Sequence, residues 1–558
     1  MADELNIPTH RWYQKRNHIA LAKEDFSRQY IYDSGIQKID AWINSQPWGI
    51  PSRDGVQPSL YLDFTRDVFA TRELDAQDYT LDATKTAHEI ITSGRSTGQT
   101  VIDSDGNLKW VMENLYRNGA GGAQSITVVS GVDYTIRAAS GSVVYSGAAT
   151  GTLDASAGVA RVEVTASTTT LTITPTAATE IAVYRSDLAG MQFDKYGSDY
   201  LPNTTGAALY SLGVDYETGV GGMQVWEGRT NLIPNFEVTS AKWNSSGAGV
   251  LTDQSLSVLG VFAGCLVESG GAATDGAINT GAFGVTSGVE YAASFVWSDS
   301  DSDSINIRLF EAAVGISQAS VTAAGVFTQG SVAKGPVVLG RHLQILPGLY
   351  RTTVIWTPNF TGNALLAGGP NSATPGDGIL LYATQFEAGS SGGPWIPTYG
   401  TTQTRGADNL STLLSSFGYN VNEGTVVADF ITAGSEFDFG RVYQLGSGAA
   451  VDGKISTEIG GDNVLRAYAD DGATLSLGSA SAAGSITKVA HAFKTDDFAA
   501  SRDGDAVVVD TSGAMPALNT SIFYGSNNPA SKHLNGEIRK IAYYPKRISN
   551  ATLVEATS

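Results

Sequence analysis

Two hydrophobic rhythms divide this chain. Over residues 1–58 the large apolar side chains recur as Trp12, Ile19, Phe26 and Tyr30, then Ile36, Ile39 and Ile43, and spacings of seven, four and three trace one face of a helix. Two short amphipathic helices are predicted, parted at Asp33-Ser34-Gly35 and stopped by Pro47 and the Trp48-Gly49-Ile50-Pro51 run. From Leu60 onward the rhythm shortens to β-branched runs separated by Gly, Asn, Asp and Ser, as in residues 125–139, 158–166 and 168–176. Such runs predict antiparallel strands joined by turns.

A repeat is legible inside this β region. Val129-Ser130-Gly131-Val132-Asp133-Tyr134 returns as Thr286-Ser287-Gly288-Val289-Glu290-Tyr291, each leading into a strand. Each copy follows an Asn-Leu pair, Asn114-Leu115 and Asn231-Leu232, and each is expected to close on a tyrosine-bearing strand, Ile181 to Tyr184 and Ile379 to Tyr382. Two β-sandwiches follow, the second roughly twice the size of the first. A third β unit is predicted from the strand-length runs 424–432, 454–460, 464–470, 488–494 and 537–545. Within it Asp503-Gly504 suits a two-residue hairpin turn, which needs positive φ at both central positions. Leu534-Asn535-Gly536 leads into a last strand ended by Pro545, and the terminal residues suit a short helix or coil.

Composition sharpens the picture. With 558 residues the chain has room for several domains, and its 64 glycines and low charged fraction of 16% suit turn-rich β structure. Residues 1–58 hold three of those glycines and balance seven basic against seven acidic side chains, so the net charge of −20 lies downstream. No basic field exists to gather phosphates, which removes nucleic acid from the expected partners. Cys265 is the single cysteine, so an intrachain disulfide framework and multi-cysteine metal sites are excluded and assembly in a reducing cytoplasm is expected. No run of 18 apolar residues predicts a membrane span, and the N-terminal stretch has no apolar leader core.

Several strings together resemble structural proteins of tailed bacteriophages and prophages. They are Leu60 to Phe64, Val101 to Lys109, and Asp215-Tyr216-Glu217-Thr218-Gly219 leading to Glu227-Gly228-Arg229-Thr230-Asn231-Leu232. The Arg-Thr-Asn-Leu string resembles the opening of a jelly roll similar to carbohydrate-binding modules, which Gln385-Phe386-Glu387-Ala388-Gly389 and Trp395-Ile396-Pro397-Thr398 would close. Asn535 to Pro545 with Ser549-Asn550-Ala551 resembles the end of a laminin G-like, concanavalin-type sandwich. The resemblance spans about residues 59–558 and departs at 113–192, which interrupts the usual connector like an inserted copy.

The expected fold is therefore mainly β: tandem antiparallel β-sandwich, jelly-roll modules behind a short N-terminal α-helical segment. Its expected parts are an N-terminal segment and linker (1–58), a β connector (59–112), a small, inserted sandwich (113–192), a connector (193–230), a jelly roll (231–400), a linker (401–419) and a closing laminin G-like sandwich (420–558). The resemblance implies a virion surface protein assembled in the bacterial host cytoplasm, a fibre or spike displaying its modules to host-surface glycan, with a trimer favoured. The alternatives are a capsid-decorating head fibre and a polysaccharide-degrading tailspike. Residues 1–58 would dock on other virion proteins through Trp12, Ile19, Phe26 and Tyr30, because helices this short hold too little core of their own.

The search for chemistry points away from catalysis. The six histidines fall in no metal-ligand spacing, and Gly389-Ser390-Ser391-Gly392-Gly393 matches a nucleophile elbow only in form, since Pro394 and the β context deny it the following helix. No enzyme and no organic cofactor are expected. Asp299, Asp301 and Asp303 alternate as oxygen ligands for calcium would, although Ser304 and Phe310 stand where an EF-hand needs glycine and glutamate. Sugar rings stack on aromatic faces, which makes Trp243, Trp297, Trp356 and Trp395 of the larger sandwich the glycan-binding candidates, against the competing need of any sandwich for buried aromatics.

Overall fold

The computed structural model describes residues 50–72, 87–93, 100–102, 108–111, 114–116, 122–185, 191–192, 213–218, 220–258, 262–311, 315–398, 400–433, 439–446, 454–469, 473–479, 482, 484–516, 520–527 and 532–558. The chain is mainly β, built from several sheets in which, among the described residues, one pairing, Met191–Gln192 with Leu108–Val111, is parallel and the others are antiparallel. The helix described at full length is C-terminal, Asn550–Thr557, capped by the Ser549 hydroxyl. The expected N-terminal helices and their stripe Trp12, Ile19, Phe26 and Tyr30 lie outside the described residues.

The C-terminal sandwich is assembled from distant pieces of chain. Its larger sheet centres on Gly536–Tyr544, which pairs along one edge with Glu423–Thr432. On the other edge Gly222–Val225 pairs with residues 536–538 and Leu60–Asp63 with residues 540–543, and Val68–Thr71 and Val214–Asp215 extend these additions. Ile486–Lys494, Phe498–Arg502 and Val508–Asp510 complete nine strands. The facing sheet of seven runs Thr92–Ser93, Leu410–Leu413, Ser521–Tyr524, Phe439–Gly446, Ile455–Gly460, Val464–Ala469, Ala473–Ser479. Segments expected to be connectors or linker thus form strands of this sandwich. Each is a short run, and although Leu60–Asp63 with Val68–Thr71 and Val214–Asp215 with Gly222–Val225 make local pairs, their joining to residues 536–543 depends on a strand remote in sequence.

Alternation explains which side chains enter the core. Leu62, Met223, Phe430 and Ile538 of the larger sheet meet Val442, Ile455, Leu465 and Ile522 of the smaller one. On the reverse face Tyr61, Val427, Ala542 and Tyr544 are covered by Leu553 and Ala556 of the terminal helix, so this sheet is buried on both sides there. The turn chemistry follows the sequence: Asp503 and Gly504 have φ of 46° and 80°, and Asn535 enters the central strand at φ 49°.

Residues 231–400 form the jelly roll, sheets of seven and six strands closed over Trp243, Phe295, Trp297, Ile307, Trp356 and Phe386. Residues 114–185 form the small sandwich, sheets of four and three strands over Ile136, Val143, Leu171 and Val183. The repeat holds at atomic level. The Tyr134 and Tyr291 hydroxyls accept from the backbone of Val129 and Thr286, both at 2.9 Å, and Gly131 and Gly288 have φ of 85° and 78°. Asn114 accepts from the Tyr116 and Val183 amides, just as Asn231 accepts from those of Ile233 and Phe386. This register makes Val183 the counterpart of Phe386. Both copies close on tyrosine-bearing strands, Ala182–Arg185 and Gly378–Ala388, with Tyr184 and Tyr382 at different places along them.

Candidate functional site

The motif strings converge on the exit of the jelly roll. Gln385 and Glu387 project from one face of Gly378–Ala388 and grip the segment 390–398 as it folds back over the six-stranded sheet. Gln385 accepts from the Ile396 amide at 2.6 Å and donates to the Pro394 carbonyl at 3.0 Å, while Glu387 accepts from the Gly393 amide. Asn231 donates to the Ile396 carbonyl at 2.9 Å, and Arg229 donates to the Ser391 carbonyl and to Glu227. Gly392 lies so close to the sheet that a Cβ there would fall 2.7 Å from the Ser294 hydroxyl. The neck of the module is the antiparallel pair Arg229–Asn231 with Gln403–Arg405. Asp408 secures it, accepting from the Trp226 amide at 2.8 Å and from Arg405 at 3.2 Å, with both members of the ion pair buried.

The four candidate tryptophans are core residues. Trp243, Trp297, Trp356 and Trp395 are at most 2% exposed, so none offers a face to a sugar. Three of their ring nitrogens donate inward, to the Asn235 carbonyl, the Thr352 hydroxyl and the Lys334 carbonyl, and the Trp395 ring lies 4.4 Å under the Arg351 guanidinium. Structural demand for buried aromatics takes all four. Asp299, Asp301 and Asp303 stand exposed at a strand end and its turn. They are not brought together, and among the described residues no group of three or more His, Cys, Asp or Glu side chains is arranged to hold a metal ion. An open cavity of about 210 Å³ sits at the edge of the C-terminal sandwich, lined by Leu414, Ser415, Phe417, Gly418 and the half-buried Tyr419.

The concentration of buried charge lies where the jelly roll meets the C-terminal sandwich. Arg351 from Leu349–Trp356 and Arg341 from Val337–Leu346 reach Glu217 at 2.8 and 3.4 Å. Beside it Asp215 accepts from the Ile102 amide at 2.8 Å, from the Glu217 amide at 3.3 Å and from the Gln224 side chain. Glu537 stands across the pairing from Gln224 with its carboxylate over Gly222, and Arg539 donates to the Thr218 hydroxyl at 2.8 Å. Burial pushes Asp215 up to about 7, with the charge of Glu217 adding to the effect. Burial and then Asp215 push Glu537 up to about 8. For Glu217 burial acts in the same sense, but Arg351 and Arg341 outweigh it and hold the group below its ordinary value.

Sequence reasoning quoted Asp215 and Glu217 only as part of a resemblance and missed their role. Glu217 lies in the turn that follows Val214–Asp215, its amide donating to the Asp215 carboxylate, so strand alternation did not mark the pair. Arg341, Arg351 and Glu537 carry no signal, because their meeting depends on two modules docking.

Among the described residues no helix is long and apolar enough to cross a membrane. No protein-family model matches the chain. No curated protein matches it either. Among solved structures it is similar to the CBM40 of Ruminococcus gnavus IT-sialidase bound to α2,3-sialyllactose, at 14% identity over 25% of this chain and 84% of that one, with a TM-score of 0.23. It is similar to domains LG4-5 of the mouse laminin α1 chain, at 11% identity over 57% and 89% and a TM-score of 0.19. The tandem CBM22 domains of Paenibacillus barcinonensis Xyn10C are similar at 7% identity over 56% and 96%, again with a TM-score of 0.19. At these scores the fold of this chain rests on its own strand pairing.

Proposed function

We propose that this chain is a virion surface component of a tailed phage, a fibre or spike that displays β-sandwich modules to host-surface glycan. The observation that carries the reading is the construction of the molecule, in which the jelly roll joins a discontinuous sandwich through a neck of paired strands, Arg229–Asn231 with Gln403–Arg405. The buried motif residues are spent on holding modules to one another, as suits a protein whose work is to present surfaces. The strings around Arg229 and Tyr543 supply the likeness to phage proteins, and residues 1–58 would be the anchor. Copies arranged as an oligomer, with a trimer favoured, would turn weak single contacts into useful attachment through effective concentration. The cavity at Tyr419 is the proposed glycan contact, since it joins an open space to an aromatic ring.

Two measurements test this. Antibody labelling of imaged particles should place the chain on tail fibres, whereas label over the capsid would make it a head fibre and absence from particles would end the reading. Purified full-length chain should be retained by host-surface polysaccharide and lose retention on Tyr419→Ala, while release of reducing ends would reassign it as a degrading tailspike.

A further inference from the structure

We propose that the seam between the jelly roll and the C-terminal sandwich is a proton-operated latch, in which Asp215 and Glu537 must hold protons for the two sandwiches to stay docked. The seam is an interface between strands far apart in sequence. From the jelly roll come Arg341 and Arg351, with Glu387 behind them on the exit-segment clamp. From the other side come Asp215, Glu217, Glu537 and Arg539, with Asp429 and Lys540 beyond Arg539 on the same sheet. The strand Thr100–Ile102 adds the Ile102 amide, which donates to Asp215, and the Ile102 carbonyl, which accepts from the Tyr216 amide, and the exit segment adds the Gly393 carbonyl, which accepts from Arg351.

The pairing is unequal. Glu217 takes both jelly-roll arginines, and Arg539 donates to the Thr218 hydroxyl. Asp215 is left with two amides and the Gln224 side chain, and the Glu537 Oε2 is buried without a hydrogen-bond partner. Three carboxylates share this dry seam with Arg341, Arg351 and Arg539, but only Glu217 is held by guanidinium contacts, and for Asp215 and Glu537 desolvation and the neighbouring carboxylates outweigh the attraction of the arginines. Asp215 and Glu537 are the two that stay neutral, which agrees with the upward displacement of both.

The sign follows from linkage. A docked seam keeps protons that carboxyls returned to water would release, so docking is at full strength below the ordinary values of 3.8 and 4.5, weakens as pH rises above them, and levels off beyond about 7 to 8, where the docked groups ionise too. Glu217 acts oppositely: its charge fastens both arginines and is retained across this range.

The test uses the full chain. Hydrogen exchange of the Ile102 amide, corrected for its intrinsic pH dependence, reports seam opening, and solution scattering reports separation of the modules. Protection should fall by up to about tenfold per pH unit for each proton linked to docking between about pH 5 and 7, and should level off above about 8, while the radius of gyration should rise over the same range. In the double variant Asp215→Asn, Glu537→Gln, whose amides cannot ionise, protection and radius should be the same at both ends of the range. Glu217→Gln should open the seam at every pH, with far-UV circular dichroism verifying that each variant keeps its β content. Wild-type protection that is flat from pH 5 to 8, or a double variant that follows the wild-type curve, would overturn the latch. Should the double variant lose its β signal, the wild-type profile alone decides.

Discussion

Asn114 and Asn231 show how much one buried amide side chain can organise. Each is fully buried and satisfies two backbone amides, one two residues ahead and one on the closing strand of its own sandwich. Asn231→Ala would strand the Ile233 and Phe386 amides, and leaving two buried donors unpaired costs roughly 2–4 kcal/mol. Urea unfolding of the full chain should show that loss in the jelly-roll transition, and Asn114→Ala should show a similar loss in the small sandwich; a shift under about 0.5 kcal/mol would refute the clamp. His491 gives a prediction in pH. Buried between the sheets, its ring nitrogen Nδ1 2.9 Å from the Tyr443 hydroxyl, it is pushed down to about 3 from an ordinary 6.5. The unfolded chain therefore takes up a proton that the folded chain refuses, so the stability contributed by His491 is complete above about 6.5 and is lost as pH falls toward 3. His491→Gln should flatten the urea midpoint between pH 6.5 and 4, and an unchanged acid slope would count against this account. The Asn-Leu pairs were legible in the sequence because they stand at a fixed place before a repeated turn.

Strands were the most legible elements and their partnerships the least. Glu423–Thr432, Ile486–Lys494 and Gly536–Tyr544 announce themselves by length and β-branched content. Leu60–Asp63 and Gly222–Val225 have four residues each, and what makes them sheet is an edge offered by a strand hundreds of residues away. The candidate site was less legible still, since tryptophan content could not reveal that each ring is spent on a core. A fragment of residues 401–558, close to the C-terminal unit expected from composition, lacks Leu60–Asp63, Val68–Thr71, Val214–Asp215 and Gly222–Val225. It should fail to melt cooperatively by circular dichroism and should be digested quickly, whereas residues 50–558 should do neither. A sharp melting transition in the shorter fragment would show those added strands to be dispensable.

At the scale of the molecule, modules are set within one another and fastened at a few points. The ends of the small sandwich lie side by side, with the Leu115 amide donating to the Val183 carbonyl at 2.8 Å. Replacing residues 114–185 by a short Gly-Ser linker should therefore leave the melting of the other two sandwiches within a degree or two of wild type. A larger loss would mean that the small module contributes packing as well as its own fold. The jelly roll cannot be removed so freely, because Arg341 and Arg351 leave Glu217 with it.

The closure of Tyr544 onto Pro51, a hydrogen bond of 3.0 Å across 493 positions of sequence, bears on how the protein is made. On the ribosome the two inserted sandwiches emerge with all their strands and can fold as they appear. Leu60–Asp63 and Gly222–Val225 must wait, with their apolar faces unsheltered, until Gly536–Tyr544 leaves the exit tunnel, because that strand is the one both of them join. Translation must therefore pass Tyr544 before this sandwich can exist. A message cut short between the jelly roll and Gly536–Tyr544 yields folded modules on an unfinished frame, a product that proteases can distinguish from a chain that carries that strand.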